Sequence, residues 1–389
     1  MDRLDDLKLP ADTPLLQDTD AQAVCAALGG RVYFVGGCVR DALLGRGGAD
    51  IDMATPLVPQ EVTRLCQAAG LKVVPTGIDH GTVTVVSRGQ GFEVTTFRRD
   101  VETDGRRAVV AFSTDIVDDA RRRDFTLNAL YATPDGRVVD PLGGVDDCLN
   151  RRIRFIEDAG QRIREDYLRI LRFFRFHAWY ANPDDGFDTN ALDAIAQNSS
   201  GLETLPAERV GMEMRKLLSA PDPARAVAAL RQTGAMAYIL PGSDDRFLAP
   251  LIHLEGLCEI APDALLRLAV LGGEAVADRL RLSRIEARRL DGLIVAGFGT
   301  TSLSEIAYRS GADLAKGAAL IRAALSNTPV DPTVFPTIDA ASDAVFPVTA
   351  ADLLPAFQGR ALGERLADLE RRWIASDFTL TRSDLLQTD

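Results

Sequence analysis

The segment Val35–Asp52, which reads VGGCVRDALLGRGGADID, decides the fold and the chemistry expected of this 389-residue chain. The short apolar stretch Val32–Val35 predicts a buried strand that runs into Gly36 and Gly37, and the following residues predict a helix that stops at Gly45. Glycines let backbone N–H groups approach a ligand closely where a helix begins. The turn is therefore typical of a phosphate-binding site.

Charged residues extend this signal on both sides of the helix. Arg40 falls on its first turn, where a guanidinium can form charge-assisted hydrogen bonds with the same phosphates. Asp50 and Asp52 alternate along a short strand and share one face. Carboxylates this close repel each other unless a cation lies between them, and Mg²⁺ prefers oxygen ligands. The segment therefore predicts phosphoryl or nucleotidyl transfer with two Mg²⁺ ions held by Asp50 and Asp52.

A third carboxylate is expected beside this pair. Glu93 is a charged residue in the apolar strand Phe92–Phe97, which reads FEVTTF. The exposed face of an edge strand would also explain it. We favour the metal site, so the predicted catalytic carboxylates are Asp50, Asp52 and Glu93.

A second cluster lies in Arg121–Tyr131, which reads RRRDFTLNALY. Its arginines Arg122 and Arg123 can reach a triphosphate, and Asp124 with Asn128 offers hydrogen-bond partners for a ribose hydroxyl. The alternative is an ordinary aspartate helix cap flanked by solvated arginines. This segment by itself favours the alternative.

The third cluster is Glu165–Phe176, which reads EDYLRILRFFRF and predicts a helix over 166–176. One stripe of that helix carries Asp166, Arg169, Arg172 and Arg175. A carboxylate accepts from the amino group of C or A, and arginine donates to ring and carbonyl acceptors on the same edge. Asp166 with Arg169 can thus admit C and A and reject G and U. A solvated helix with ion pairs such as Glu165–Arg169 is the alternative.

The rest of the chain predicts a mixed first part and a helical remainder. Further strands are expected at Lys72–Val74, Thr82–Val86 and Val138–Asp140. No strand is expected after residue 151. Helices are predicted at Glu208–Leu218, Pro223–Gln232, Pro262–Leu271 and Arg284–Ala296, and loops or linkers at Asn182–Asp188 and Ser326–Pro347.

Composition limits the class of protein. Hydrophobic residues make up 46% of the chain and charged residues 26%, which is ordinary for a folded soluble domain and excludes a disordered chain. No apolar run approaches the roughly 20 residues of a membrane span, and the acidic first ten residues argue against a signal peptide. A net charge of −12 argues against coating nucleic acid by bulk charge. The five cysteines have no metal-ligand spacing, so reduced thiols in a cytoplasmic protein are expected.

Taken in order and spacing, the three clusters resemble the class II tRNA nucleotidyltransferases, which comprise the bacterial and eukaryotic CCA-adding enzymes and their poly(A) polymerase relatives. The family signature of GG-x-x-RD-x-x-LG followed by D-x-D is matched by Gly36, Gly37, Arg40, Asp41, Leu44, Gly45, Asp50 and Asp52. The RRDFT-x-NA motif matches residues 122–129, and the ED-x-x-R motif matches Glu165, Asp166 and Arg169.

The resemblance implies an α/β head of the polymerase-β nucleotidyltransferase type followed by an all-α neck, body and tail. The expected domains are a catalytic head at 1–150, a neck for base recognition at 151–220, a body at 221–325 and a tail that contacts tRNA at 326–389.

The resemblance also implies the reaction and its partners. The 3′-hydroxyl of a tRNA acceptor arm would attack the α-phosphate of CTP or ATP and release pyrophosphate, with two Mg²⁺ ions held by the aspartates. Asp166 and Arg169 would then read the base, and residues 122–128 would serve the triphosphate and the ribose. Neither a membrane nor DNA is expected as a partner.

Complete CCA addition is the expected activity within the family. Residues 99–120 fit the flexible loop that full CCA-adding enzymes carry and CC-only enzymes lack, and Thr76–Val86 lacks the basic run typical of poly(A) polymerases. CC- or A-only addition comes second and polyadenylation third. A binding protein on a dead fold is disfavoured because both aspartates remain, and an oxidoreductase because G-x-G-x-x-G is absent.

Overall fold

The computed structural model describes residues 7–48, 50–104 and 107–387. The chain divides into two compact units. The first comprises residues 1–206 and 229–238, and the second comprises residues 207–228 and 239–389. The division into head, neck, body and tail stays a prediction, because the two units do not separate those four parts.

The first unit contains the strands, which are numbered in chain order. They are β1 (Tyr33–Val35), β2 (Asp52–Thr55), β3 (Lys72–Gly77), β4 (Thr82–Ser87), β5 (Gln90–Thr96), β6 (Arg98–Asp104), β7 (Arg107–Phe112), β8 (Tyr131–Ala132) and β9 (Val138–Val139). Seven of them form one sheet in the order β3-β4-β5-β2-β1-β8-β9, and β6 pairs with β7 as a separate hairpin. Within the sheet β2 and β5 run parallel, and the other neighbouring strands are antiparallel.

The helices up to residue 206 lie in the same unit. They are α1 (Pro14–Gln17), α2 (Thr19–Ala27), α3 (Gly37–Leu43), α4 (Pro59–Ala68), α5 (Ile116–Arg121), α6 (Gly144–Leu149), α7 (Ala159–Glu165), α8 (Leu168–Tyr180) and α9 (Thr189–Asn198), with 3₁₀ turns at Ile78–His80, Thr126–Asn128 and Ser199–Thr204. Alternate residues along β4 and β5 are buried, which follows from their apolar alternation. Helices α2 and α4 pack against β4.

An aromatic cluster holds α8 against the segment that contains residues 122–128. The ring of Phe125 lies 5.0 Å from that of Phe155 and 5.1 Å from that of Phe176. Phe173 stacks on Phe155 with ring centres 5.5 Å apart. Because buried aromatic side chains dominate core energetics, this cluster fixes α8 beside the arginine-rich segment.

The remaining chain is helical. Its helices are α10 (Ala207–Leu218), α11 (Ala224–Gln232), α12 (Ala235–Ile239), α13 (Leu248–Leu257), α14 (Ala264–Leu271), α15 (Val276–Arg279), α16 (Arg284–Phe298), α17 (Leu303–Ser310), α18 (Ala312–Ser326), α19 (Val334–Ser342), α20 (Ala350–Leu353), α21 (Gly359–Ala375) and α22 (Arg382–Leu386). Helix α18 packs against α13, α16, α17 and α19. A second cluster gathers Val348, Leu353, Leu369, Trp373, Ile374 and Leu385. None of the described helices is long and apolar enough to cross a bilayer.

The predicted strands and helices are largely confirmed, with ends shifted by a few residues, and within the described residues no strand follows β9. Three expectations need correction. Asp166 does not belong to a helix, because α7 ends at Glu165 and α8 begins at Leu168. The segment 326–347 is not a plain linker, because it contains α19. Strand β8 and the hairpin β6–β7 were missed, the first because two residues carry no periodic signal.

A buried ion pair anchors the second unit. Arg267 on α14 donates to Glu255 on α13 over 2.6 Å and to the carbonyl of Leu218 over 2.6 Å. Both charged side chains are almost completely buried. Removing one partner of such a pair leaves an uncompensated charge in the interior.

We expect Glu255→Gln to lower the free energy of unfolding by about 3 kcal/mol. Urea denaturation of the full chain measures the change. The matched control is Glu364→Gln, which removes a carboxylate from an exposed pair with Arg360 on α21. The control should change stability by less than about 0.5 kcal/mol. Equal effects of the two substitutions would contradict the role given to Arg267.

Candidate active site

The three predicted carboxylates meet at one edge of the sheet. Strands β2 and β5 are parallel neighbours, and their register sets Asp52 directly opposite Glu93. Asp50 lies two residues before Asp52 in the chain. Asp50, Asp52 and Glu93 all line one cleft of about 670 Å³. Strand pairing therefore brings together the carboxylates that the sequence could only propose as a group.

Electrostatics in this cleft favour a bound cation. The pKa of Asp52 is raised by burial and then by the charges of Glu93 and Asp50, while Arg123 opposes the rise. Oxygen donors that repel one another in this way suit a hard divalent ion. Within the described residues, however, no group of three His, Cys, Asp or Glu side chains is arranged to hold a metal. The residues fit Mg²⁺ by chemistry, and the ion remains a proposal.

The predicted phosphate-binding turn is present between β1 and α3. Gly36 has φ +72°, a conformation that favours glycine, and a Cβ there would lie 3.3 Å from Nη1 of Arg123. Arg123 also donates to Asp119 over 2.9 Å and to the hydroxyl of Tyr131 over 3.2 Å. One predicted triphosphate ligand thus lies directly against the turn formed by Gly36 and Gly37.

Arg40 is placed differently from the prediction that it contacts phosphate. Its side chain is buried, and its three nitrogens donate to Asp41, Asn128 and Tyr180 over 2.7–2.8 Å. The guanidinium also lies 3.9 Å from the centre of the Tyr180 ring. Every nitrogen of Arg40 is thus used within the protein, so this placement supports a structural role instead of direct phosphate binding.

Asp124 and Asn128 also differ from the prediction of ribose contacts. Both are buried, and Asn128 donates to Asp124 over 3.0 Å while accepting from Arg40. Asp124 accepts from Nε of Arg172 over 2.7 Å. Burial alone would raise the pKa of Asp124, but Arg172 and Asn128 lower it below its ordinary value. A buried carboxylate with these partners stabilises the fold around α8.

Together these residues form a chain of hydrogen bonds, Arg40–Asn128–Asp124–Arg172. Arg172 lies on α8, and Tyr180, which bonds to Arg40, lies on the same helix. The chain therefore closes into a ring through α8. It joins the start of α3, where the Gly36–Gly37 turn lies, to the helix predicted to read bases.

Asp166 and Arg169 are close in sequence but do not share a helical stripe. Asp166 is extended, with φ −154°, and accepts from the backbone N–H of Leu168. Arg169 donates to Glu165 over 2.7 Å and to the carbonyl of Arg122 over 3.1 Å. The Glu165–Arg169 pair considered as the alternative is thus present, and base reading by Asp166 with Arg169 stays a prediction.

The remaining predicted site residues lie around α8. Arg122 follows α5 and contributes its carbonyl to Arg169. Arg175 lies 4.4 Å from the centre of the Phe176 ring. The motifs did not indicate Tyr180 or Asp119. The contact between Arg40 and Tyr180, 140 positions apart, has no local spacing signal, whereas Asp119 lies four residues before Arg123, a spacing typical of a helical ion pair.

The predicted flexible loop over 99–120 contains the hairpin β6–β7 and helix α5, while its residues Gly105 and Arg106 lie outside the described part. Arg98 at the start of the hairpin donates to the carbonyl of His80 over 2.7 Å. A Cβ on Gly81 would lie 2.8 Å from the ring of Phe112 at the other end. The base of the hairpin therefore contacts the turn that follows β3.

Two family profiles match the chain. The profile described as the poly A polymerase head domain matches residues 32–154, and one described as a probable RNA and SrmB-binding site of polymerase A matches residues 187–247. The crystal structure of the Bacillus stearothermophilus CCA-adding enzyme in complex with CTP is similar over 94% of each chain, with a TM-score of 0.72 and 28% identity. Residues 32–154 thus match the head domain of poly A polymerases, and the chain shares its fold with that CCA-adding enzyme.

Curated relatives match about half of the chain. The chain is 40% identical over 214 residues to "CCA tRNA nucleotidyltransferase 1, mitochondrial" of Danio rerio, which is 54% of this chain and 50% of the relative. It is 41% identical over 218 residues to the CCA-adding enzyme of Geobacillus kaustophilus, or 55% of this chain and 52% of the relative. The matched region thus spans about half the length of these relatives. A Thermotoga maritima CCA-adding enzyme complexed with tRNA shares the fold, with a TM-score of 0.70 at 19% identity.

Asp52→Asn should stabilise the protein in the absence of divalent ions. Because burial and the neighbouring carboxylates raise the pKa of Asp52, ionising it costs more in the folded chain than in the unfolded chain. This penalty is absent well below the ordinary pKa of 3.8 and develops as the pH rises through the raised value. In EDTA at neutral pH the thermal midpoint of Asp52→Asn should exceed that of the wild type, and the difference should vanish in acid.

If Mg²⁺ binds at the carboxylates, it should raise the thermal midpoint of the wild type above that of Asp52→Asn. A ligand that binds only the folded state raises the midpoint by mass action, so Mg²⁺ should stabilise the wild type and leave Asp52→Asn unchanged. Asp193→Asn, at an exposed position on α9, is the control and should respond as the wild type does. A wild-type midpoint insensitive to Mg²⁺ would contradict the metal assignment.

Proposed function

We propose that this protein adds CCA to the 3′ end of tRNA without a template, using CTP and ATP. The observation that carries the proposal is the register of β2 and β5, which sets Asp52 opposite Glu93 beside Asp50. A carboxylate group at a sheet edge next to a glycine turn is the equipment of nucleotidyl transfer. The CTP complex of a similar CCA-adding enzyme supports the choice of substrate.

In the proposed reaction the 3′-hydroxyl oxygen of tRNA forms a bond to the α-phosphorus of the nucleotide. The bond between that phosphorus and the bridging oxygen breaks, and pyrophosphate leaves. The backbone at Gly36 and Gly37, with Arg123 and Arg122, binds the triphosphate. Asp50 and Asp52 would hold two Mg²⁺ ions, assisted by Glu93. When bound, such ions polarise the phosphate and lower the pKa of the attacking hydroxyl.

The hydrogen-bonded ring around α8 gives Arg40, Asp124, Asn128 and Arg172 a positioning role in this proposal. They hold α8 at a fixed place relative to the glycine turn, so a base read from α8 stays aligned with the triphosphate. Asp166 and Arg169 are the proposed base readers, and Arg175, further along α8, is a proposed nucleotide ligand. Nε of Arg169 makes no hydrogen bond to the described residues, which leaves a donor for a base edge.

Complete CCA addition is preferred over CC- or A-only addition because the hairpin β6–β7 is present with its base against the turn after β3. Polyadenylation remains the third candidate, favoured only by the family profiles that bear its name. A cytoplasmic location is likewise proposed, from the cysteine usage of the sequence, and the similar mitochondrial relatives leave it to be tested by localisation of a tagged protein.

Extension of a tRNA transcript that lacks its last three nucleotides tests the function. The purified protein with Mg²⁺ receives CTP alone, ATP alone or both, and the products are sized on a sequencing gel. Growth by two with CTP and by three with both nucleotides is expected. Asp52→Asn should reduce the rate at least about a thousandfold, since metal polarisation supplies several kcal/mol, and it controls for contaminating enzymes.

The other outcomes decide between the candidates. A stop at two nucleotides would indicate a CC-adding enzyme, and extension only after CC would indicate an A-adding one. A long A ladder would indicate a poly(A) polymerase. No extension by the wild type, either of this transcript or of one that already ends in CC, would contradict nucleotidyl transfer itself.

Arg169→Ala should reduce the choice of nucleotide more than the rate with CTP. A hydrogen bond to a charged group contributes about 1.5–3 kcal/mol, so the preference for CTP over UTP should fall about tenfold or more. Competition between labelled CTP and UTP measures the ratio. Arg164→Ala, at an exposed position on α7, is the matched control and should leave the ratio unchanged. An unchanged ratio in Arg169→Ala would contradict base reading by this residue.

A further inference from the structure

The cleft that contains the carboxylates is bordered by α3, through Cys38, Asp41 and Ala42, and by three segments outside the glycine turn. Besides Asp50, Asp52 and Glu93 it is lined by the start of α1, the loop after α3 and the start of β5, which comprise Thr13–Leu15, Arg46–Gly48 and Gln90–Phe92 among others. Gly36, Gly37 and Arg123 do not line it. The residues proposed to bind the triphosphate therefore lie outside the lining of this cleft.

Nucleotidyl transfer needs room at the carboxylates for two molecules, the nucleotide and the acceptor RNA. In an in-line displacement the attacking oxygen and the leaving oxygen lie on opposite sides of the phosphorus. If pyrophosphate leaves towards the glycine turn, the cleft offers the 3′-hydroxyl of the RNA a separate approach to the carboxylates. The terminal nucleotide of the acceptor then lies inside it, together with the phosphodiester that joins this nucleotide to the rest of the RNA.

The charge of the cleft makes this entry unfavourable for a phosphate. Its lining includes the acidic residues Asp18, Asp41, Asp50, Asp52 and Glu93. Among the described lining residues Arg46 is the one basic side chain. A phosphodiester brought beside these carboxylates needs a cationic partner at a fixed position, and arginine binds phosphate by paired N–H donors.

Part of the Arg46 guanidinium contacts the end of α8, and the rest is exposed. Its Nη1 donates to the carbonyl of Trp179 over 2.9 Å, and its guanidinium lies 5.1 Å from the centre of the Tyr180 ring. Its Nε and Nη2 make no hydrogen bond to the described residues, and the residue is exposed. The end of α8 thus orients a guanidinium whose remaining donors are available to a ligand in the cleft.

We propose that Arg46, oriented by Trp179 and Tyr180, binds the last phosphodiester of the acceptor RNA and so positions its 3′-hydroxyl at the carboxylates. This inference rests on the proposed function, since it assigns the RNA side of the same site. Tyr180 is a positioning residue here, because it contacts Arg46 and Arg40 and stays outside the lining of the cleft.

A test compares the wild type with Arg46→Ala, Arg46→Lys and Arg31→Ala. Arg31 is an exposed arginine of the same unit that pairs with Glu61 away from the cleft, so it is the matched control. Fluorescence anisotropy without nucleotide measures binding of an acceptor-stem RNA with a single-stranded end. One version of the RNA has an ordinary last phosphodiester, and the other has an uncharged methylphosphonate there. Steady-state extension gives KM for RNA and for CTP separately.

Arg46→Ala should raise Kd and KM for RNA about tenfold and leave KM for CTP unchanged, because a hydrogen bond to a charged group is lost. The plot of log Kd against log salt should lose about 0.7 of its slope, as expected for one phosphate contact on a single strand. The methylphosphonate should weaken binding to the wild type and not to Arg46→Ala. Arg46→Lys should restore the salt slope, and Arg31→Ala should behave as the wild type.

Opposite results overturn the proposal. They are a parallel rise of KM for CTP, equal sensitivity of the wild type and Arg46→Ala to the methylphosphonate, or an equal effect of Arg31→Ala. A wild type that binds the RNA without extending it would contradict the proposed function, while the binding comparison would still decide the role of Arg46. A wild type that binds no RNA would overturn both.

Discussion

A buried chain of hydrogen bonds, from Arg40 through Asn128 and Asp124 to Arg172, supports the rest of the first unit. It joins the buried guanidinium of Arg40 and the buried carboxylate of Asp124 to the half-buried guanidinium of Arg172, so each buried charge needs its partner. The bond from Arg40 to Tyr180 closes the ring through α8. Because the ring joins α3 to α8, the glycine turn and the helix proposed to read bases move together.

In the carboxylate group, by contrast, like charges are held close together. Asp52 is held near Asp50 and Glu93 although their repulsion and burial raise its pKa. The register of β2 and β5 enforces this proximity through backbone hydrogen bonds that are independent of the side chains. Residues that oppose the stability of the apo protein in this way are typical of a site that binds a cation. With Asp41, which accepts from Arg40, the charges of the ring balance one another, whereas the carboxylates of the cleft repel one another.

The motifs predicted which residues cluster better than they predicted what each one contacts. Arg40, Asp124 and Asn128 were expected at phosphate and ribose, and the structure buries them in one network. A motif shows which residue type occurs at which spacing. It does not show whether that residue is buried in the fold or contacts a ligand. Gly144 is a similar case. A Cβ there would lie 2.2 Å from the carbonyl of Thr126, so this glycine allows α6 to pack against the 3₁₀ turn.

The sequence by itself determined the strand–turn–helix at Val35–Asp52, the facing aspartates and the helical remainder, because apolar periodicity and glycine turns are local properties of a chain. It also predicted the resemblance to the CCA-adding enzymes, through the order and spacing of three motifs. Only the tertiary structure decided that Glu93 faces Asp52, that Arg40 reaches Tyr180 and that Arg46 is the basic residue of the cleft. Those facts depend on strand order and on helix packing between residues far apart in the chain, where no periodic pattern specifies a partner.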